Sequence, residues 1–278
     1  MNVSIVIYYH SSRLDNLKQM LRLLYARETF ASVYFELILI CQDNDNSTFP
    51  YPDVKHFNLN LSTYHKSKMC NFGVKQASNE WICILDSDRI LPINYLCNLL
   101  PKAIKGNVYT LKNHVILKRK YTDEEISNNA VDFEADFRYP YNQSLHKKNM
   151  FAGNTLIHKD DYNLMGQMDE DFIGYGFADN DASYSAVKAG LKEVFNEGIE
   201  MHLFHPHSLC VENKIVENRT HWLGINGMRF YNKWKLPVDA KTIVFYNQVK
   251  NNQTKLEPLL IEELEKVKNE FTRHNEKK

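Results

Sequence analysis

Trp81-Ile82-Cys83-Ile84-Leu85-Asp86-Ser87-Asp88 is a short apolar run that stops abruptly at two carboxylates. An apolar run of this length, β-branched and aromatic in character and closed by polar residues, reads as a strand buried on both faces. Such strands belong to sheets covered by helices on both sides. In an extended segment residues two apart point the same way, so Asp86 and Asp88 present their carboxylates together at the strand's end.

Working outward, Val3 to Tyr9 and Phe35 to Cys41 repeat the same buried-strand composition. Between them Asn16 to Tyr25 places Leu17, Met20, Leu21 and Leu24 on one helical face. Thr63 to Gln76 reads as a helix, Pro92 opens another, and Val108 to Leu117 is a further strand. The alternation predicts an α/β protein with a mostly parallel central sheet flanked by helices. In such sheets ligands bind beyond the carboxyl ends of the strands. Tyr9-His10, Gln42-Asp43 and Asp86-Ser87-Asp88 therefore gather at one rim. Further on, Thr122 to Gln143 reads as a helix followed by a loop, and Ala152-Gly153-Asn154 is a small-residue break. Gly174-Tyr175-Gly176 leads into Asp179-Asn180-Asp181 and a helix to Ala189. His202, His205 and His207 cluster after it. Leu256 to Lys278 is a charged helix with Leu259, Leu260, Leu264 and Val267 near one face.

The 278 residues are 44% hydrophobic and 24% charged, ordinary values for a globular chain. The formal net charge is zero, which gives no reason to expect a nucleic-acid partner. It also supplies no global field, so any anion site must be built from local residues. None of the five cysteines forms a CxxC pair, which argues against a zinc site and for reduced, buried thiols in a reducing compartment. The opening MNVSIVIYYH reads as a first strand, not a signal peptide. The expected location is cytoplasmic, where the sequons at Asn142 and Asn218 carry no meaning. The mixed charge around Glu262, Glu263, Glu265 and Lys266 favours a solvated helix. A homodimer contact or a peripheral contact at the inner face of a membrane stays open for it.

The candidate chemistry rests on four groups. Asp86 and Asp88 suit a hard divalent cation, Mn²⁺ or Mg²⁺, that bridges phosphate oxygens; a solvated turn is the bland alternative. One of the nearby histidines would complete a Mn²⁺ shell, although surface histidines are common. Asp179 is either a helix cap or a general base that the glycine turn brings to a substrate. Lys66 reaches a diphosphate or base edge, or else lies on an exposed helix face.

Several segments resemble one family in the same order. Tyr64-His65-Lys66-Ser67-Lys68-Met69-Cys70-Asn71-Phe72-Gly73, with Trp81 to Asp88 and Pro92, resembles the β-1,4-galactosyltransferases and chondroitin-polymerase-type transferases. Phe151-Ala152-Gly153-Asn154 resembles their donor-lining segment, and Met168-Asp169-Glu170 through Asp181 their acceptor motif. His205-Pro206-His207 with Glu212-Asn213 resembles the segment carrying their last metal ligand.

The resemblance implies a GT-A fold, Rossmann-like, over residues 1–230, with a nucleotide-binding half (1–120), an acceptor half (121–230) and a C-terminal helical extension (231–278). It implies an inverting, metal-dependent transfer of a hexose or N-acetylhexosamine from a UDP-sugar to a saccharide or glycoconjugate hydroxyl. By position, Asp88, His205 and Asp86 are the metal residues, with His202 and His207 as substitutes for His205, and Asp179 is the base. Tyr8, Tyr9, His10, Gln42, Asp43, Tyr64, Lys66, Asp86, Ser87 and Gly153 fall on the donor side. Tyr175, Gly176, Asp179, Asn180 and Asp181 fall on the acceptor side. Tyr175, Phe177 and Ala178 replace the family's Trp, Gly and Glu, which argues against an N-acetylglucosamine acceptor. Met150 stands where the galactosyl enzymes carry an aromatic residue, which leaves room for an N-acetyl group on the donor and keeps Gal and GalNAc both open. Two rivals stand beside this reading. Phe177 and Ala178 suit a catalytically inactive UDP-sugar-binding module. A nucleotidyltransferase would need a Gly-rich, basic loop after the first strand, and Tyr8-Tyr9-His10-Ser11-Ser12 is not one.

Overall fold

The structure is a computed structural model that describes residues 2–28, 33–127, 150–205, 219–251 and 256–275 (side chains to 270), with the backbone of 135–138. In chain order it runs β1 (Asn2–Tyr9), α1 (Leu14–Arg27), β2 (Tyr34–Cys41), β3 (Val54–Asn58), α2 (Lys66–Gln76), β4 (Trp81–Asp86) and a two-residue β5 (Arg89–Ile90). Then come α3 (Tyr95–Leu99), β6 (Asn107–Leu117), α4 (Asp123–Ser127), β7 (Ala135–Arg138), β8 (Asn154–His158), α5 (Lys159–Leu164), α6 (Ala178–Lys188) and β9 (Lys192–His202). The last three helices among the described residues are α7 (Arg219–Lys233), α8 (Ala240–Asn251) and α9 (Pro258–Asn275).

The strands form one sheet in the order β3-β2-β1-β4-β8-β6-β9-β5, with β7 beside β6. From β3 to β4 every pairing is parallel. Beyond β4 the sheet is mixed: β8 is antiparallel to both β4 and β6, β9 is parallel to β6, and β5 is antiparallel to β9. The pleat of β1 divides the core. Val3, Ile5, Ile7 and Tyr9 pack with Leu17, Met20, Leu21 and Leu24 of α1, while Val6 and Tyr8 pack with Met69, Cys70 and Val74 of α2. Apolar residues on both faces are what made these strands readable as continuous runs.

Two strands lack that signature. Every residue of β3 is only half-buried, as befits an edge strand. In β9 polar and apolar residues are mixed, and Gly198 interrupts the run. Of the helix expected from Thr122 the described residues show Asp123–Ser127, and β7 lies within the stretch where a helix and then a loop were expected.

In α9 Leu260, Leu264 and Val267 are fully buried, in one cluster with Trp222 and Ile225 of α7 and Val249 of α8. The stripe left open as a dimer or membrane contact is therefore spent inside the chain. Among the described residues no helix is long and apolar enough to cross a membrane. Arg229 and Glu263, 2.8 Å apart between Nη2 and Oε2, fasten α7 to α9 beneath the surface. Cys41, Cys70 and Cys83 are buried free thiols and Cys97 is half-buried; Cys210, His207 and both sequon asparagines lie outside the described residues, as do Glu212 and Asn213.

Candidate functional site

Asp86 is the last residue of β4, and its backbone N–H donates to the Gly153 carbonyl at 2.8 Å. Gly153 has φ +86°, and a Cβ there would lie 2.8 Å from Glu200 Oε1. Glycine thus answers two demands, a left-handed backbone and the close approach of a carboxylate from β9. Tyr8 is the register partner of Asp86 across β1 and β4, and its hydroxyl donates to the Asp86 carboxylate. Ser87 is buried between the two aspartates.

Asp88 faces two histidines. Its Oδ2 lies 3.2 Å from His202 Nε2 and 3.4 Å from His205 Nε2, and the two Nε2 atoms are 3.2 Å apart. Bonds of about 2.1 Å to nitrogen or oxygen place neighbouring donor atoms roughly 3.0 Å apart at octahedral angles and about 3.4 Å apart at tetrahedral ones. The triangle has the size of one face of either polyhedron, so the donor set fits a divalent cation. Burial raises the Asp88 carboxyl, but His202 and Arg89 overcome it and hold the group well below the ordinary aspartate range. Both His202 and His205 serve this group. Asp86 is not part of it: Arg89 Nε stands 3.8 Å from Asp86 Oδ2 and 3.8 Å from Asp88 Oδ1, and the cation parts the two carboxylates. Asp86 turns instead to Tyr8 and to Lys66, whose Nζ is 3.5 Å from its Oδ1.

Lys66 is buried, at 6% exposure, although it opens a helix. Its Nζ lies 2.5 Å from Asp179 Oδ1, donates to the Phe151 carbonyl at 2.9 Å and sits 5.0 Å over the Tyr8 ring. Burial works against its charge, but Asp179 and Asp86 more than restore it, so the ammonium persists. Asp179 occupies the first turn of α6, after Phe177 in the left-handed region at φ 65°. Burial raises its carboxyl above the ordinary range; Lys66 pulls the other way and Asp86 adds to the rise.

The remaining expected residues divide. Tyr64 joins this group electrostatically, and burial raises its phenol with Asp86 and Asp179 contributing. Its carbonyl accepts from Gly174 N at 2.8 Å. At the ends of β1 and β2, Tyr9 donates to Asp45 at 2.6 Å, while Asp43 accepts from Ser11 N at 2.8 Å and pairs with His10 at 3.5 Å. Gln42 is buried there, with Oε1 lacking a hydrogen-bond partner among the described residues. On the acceptor side the Tyr175 hydroxyl accepts from Arg219 at 2.6 Å, and Gly176 and Asn180 flank the turn into α6. Asp181 is directed elsewhere. Two residues along a helix is about 200°, and its buried carboxylate accepts from Lys233 at 2.9 Å and Trp234 Nε1 at 2.8 Å. Met150 is fully buried in the same cluster as Tyr8, Ile84 and Tyr162.

No protein-family model matches the chain, and no curated protein matches it in sequence. Solved structures do. S. aureus TarS aligns with a TM-score of 0.54 at 13% identity, over 84% of this chain and 43% of that one. GalNAc-T7, solved with UDP, GalNAc and Mn²⁺, aligns with a TM-score of 0.52 at 15% identity, over 89% of this chain and 54% of that one. The fold is GT-A. The catalytic domain of Drosophila beta1,4galactosyltransferase 7, solved with xylobiose, aligns over 70% of this chain and 64% of that one at 17% identity. Its TM-score of 0.43 is too low to bear on the assignment. The chain spans about half the length of TarS and GalNAc-T7.

Two members of this GT-A rim escaped the sequence. Arg89 follows the two aspartates and sits half-buried among Asp86, Asp88 and Glu200, its Nη1 4.0 Å from Glu200 Oε2. Glu200 is 3% exposed, and burial raises its carboxyl against the pull of Arg89 and Asn154. A signal existed: Glu200 and His202 are two apart and share a strand face, but only if β9 is seen as a strand.

Proposed function

We propose that this chain is a metal-dependent glycosyltransferase that transfers a hexose or N-acetylhexosamine, Gal or GalNAc, from a UDP-sugar to a hydroxyl of a saccharide or glycoconjugate with inversion. The observation that carries the reading is the Asp88–His202–His205 triangle beside the Lys66–Asp179 pair, at the carboxyl end of β4 in a GT-A sheet. GalNAc-T7, which shares the fold, was solved with UDP, GalNAc and Mn²⁺, and that supports the donor class.

Asp88, His202 and His205 would hold Mn²⁺ or Mg²⁺, and a cation bound there neutralises charge that builds on the leaving diphosphate. Asp179 takes the proton of the attacking hydroxyl. A base needs a pKa raised toward the working pH and a fixed direction; burial provides the first and Lys66 the second. Tyr8 and Lys66 hold Asp86 toward the ribose or donor sugar. The ends of β1 and β2, with Tyr9, His10, Gln42 and Asp43, form the uridine side.

The test is UDP release with Mn²⁺ across UDP-Gal, UDP-GalNAc, UDP-Glc and UDP-GlcNAc, for wild type, Asp88→Asn and Asp179→Asn. Release by the wild type that both variants lose supports the reading. Full turnover by Asp179→Asn removes that residue as the base. Tight UDP–Mn²⁺ binding without release by the wild type returns the inactive binding module that Phe177 and Ala178 suggest.

A further inference from the structure

Between α5 and α6 the chain crosses residues 165–177 without regular structure, and this stretch delivers Asp179. We infer that Asn226, on α7, is a positioning residue for Asp179, its buried side-chain amide pinning the turn from which α6 starts. The inference rests on the reading of Asp179 as the base.

Asn226 is completely buried. Its Nδ2 donates to three carbonyls of one turn, Ile173 at 2.8 Å, Gly176 at 3.2 Å and Tyr175 at 3.3 Å. Acceptors on all three sides fix the orientation of the amide, since Oδ1 turned inward would meet only oxygens. Buried carbonyls outside a ladder need such a donor, and few side chains supply two N–H groups from one point.

The neighbours of Asn226 on α7 follow the same turn. Trp222 and Asn226, four residues apart, share a helix face with Arg229, which donates to the Asp171 carbonyl. A Cβ on Gly174, at φ +76°, would lie 2.3 Å from the Trp222 ring, and one on Gly176 would lie 2.4 Å from Leu223. The Phe177 ring packs 5.4 Å from Phe230. This face of α7 is a cast of residues 171–177. From the other side Gly174 N reaches the Tyr64 carbonyl at 2.8 Å, two residues before Lys66. The turn is thereby held between α7 and the strand-end group that Asp179 joins. Asn226 grips its last carbonyls, at Tyr175 and Gly176, immediately before Phe177 and the first turn of α6. The direction in which Asp179 leaves α6 is set there.

Asn226→Asp keeps the shape and replaces the donor by a carboxylate facing three carbonyl oxygens. A misplacement of about 1 Å at a reacting group costs on the order of 100-fold in rate, and kcat for sugar transfer should fall by about that factor. UDP affinity with Mn²⁺, measured calorimetrically, should stay at the wild-type value, because among the described residues the hydrogen bonds of Asn226 run to Ile173, Tyr175 and Gly176, none of them on the donor side. Hydrogen exchange should accelerate at the amides of 174–181 and remain unchanged in β4 and β8. A wild-type kcat, or equal losses in kcat and UDP affinity, would overturn the inference, the second by marking general structural damage. Should Asn226→Asp not fold, Asn226→Ser keeps one donor. It should show the same pattern at smaller amplitude, and wild-type kcat with unchanged exchange at 174–181 overturns the idea equally. If the wild type transfers no sugar from any donor, the base assignment fails by itself, and the exchange experiment alone decides whether Asn226 pins the turn.

Discussion

Replacing Lys66 by Met tests the heart of the site, because Met keeps the stem's bulk and removes only the charge. The Lys66 ammonium lies 2.5 Å from one Asp179 oxygen and 3.5 Å from one of Asp86. Two unit charges about 4 Å apart are worth roughly 4 kcal/mol at an effective dielectric near 20, or about 3 pH units for the carboxylate. Water entering the vacated space screens part of the loss, and an opposite charge at this range ordinarily shifts a carboxylate by about 1–3 units. The sign is fixed: Asp179 already stands above its ordinary value through burial, and Lys66 is the pull that lowers it. Without Lys66 the carboxyl rises further and is protonated over a wider range of pH. The acidic limb of the kcat/KM profile for UDP-sugar turnover should move up by about 1–3 units, with activity recovering at high pH. Asp179→Asn should abolish the limb altogether. The result that refutes the reasoning is a Lys66→Met profile of unchanged midpoint and lower plateau. Lys66 would then act on the donor, and Asp179 would not be the titrating base.

Other consequences can be measured separately. His202→Ala and His205→Ala should each weaken Mn²⁺ binding by more than about 100-fold in an EPR titration, since even an outer partner of a ligand costs about 10–100-fold. Wild-type affinity in His202→Ala would break the triangle. Glu263→Gln leaves Arg229 with Glu270, at 3.7 Å, as its one remaining ion pair among the described residues and should cost roughly 3 kcal/mol in urea denaturation. Arg229→Met with Glu263→Met should recover most of that, and a double variant as unstable as the sum of the singles would contradict it. Glu36 is held down at about 2, because Lys55, Ser4 and Ser78 overcome the effect of burial. Its contribution is fully present above the ordinary glutamate value and is lost as pH falls through about 2. It should amount to about 2 kcal/mol after a discount for the exposed Lys55. Wild type should therefore lose stability more steeply than Glu36→Gln between about pH 5 and pH 2, and parallel slopes would rule this out.

What could be read in the sequence follows from burial. Strands β1, β2 and β4 are largely apolar on both faces, and each appears as a near-continuous run in the residues themselves, broken by Ser4 in β1 and Glu36 in β2. The edge strand β3 and the half-exposed β9 have no such run, and tertiary pairing alone makes them strands. The same rule governs the site. Asp86 and Asp88 were visible because they terminate a fully buried strand. Lys66 and Asp179 were nameable, but nothing in their own segments tells that α2 and α6 bring them within 2.5 Å. Arg89 and Glu200 were silent because a contact between residues 111 positions apart leaves no local pattern. Asp181 shows the reverse error: its neighbour's surroundings were extended to it, and the turn of a helix separates the two.

Formal neutrality of the whole chain hid the electrostatics that matter. Asp86, Asp88, Glu200 and Asp179 crowd about Lys66 and Arg89, so four carboxylates share two permanent cations. Counted over these six groups alone, the cluster is short of two positive charges, the charge of one divalent cation. The protein's present answers are visible in its groups: Asp179 and Glu200 are pushed toward their neutral forms, while Asp88 is held ionised between two imidazoles and a guanidinium. A cation at the triangle would complete the balance where Asp88 is, and its field would lower the other carboxyls as well. The reading therefore ties two quantities that a mere cluster of acids would leave unrelated. Mn²⁺ binding should release protons, with a release that grows as pH falls toward the carboxylate range, and Asp88→Asn should remove the binding and the release together. A cluster that binds Mn²⁺ with no proton release at any pH would mean that these carboxyls are ionised already, and the charge argument for the site would fall.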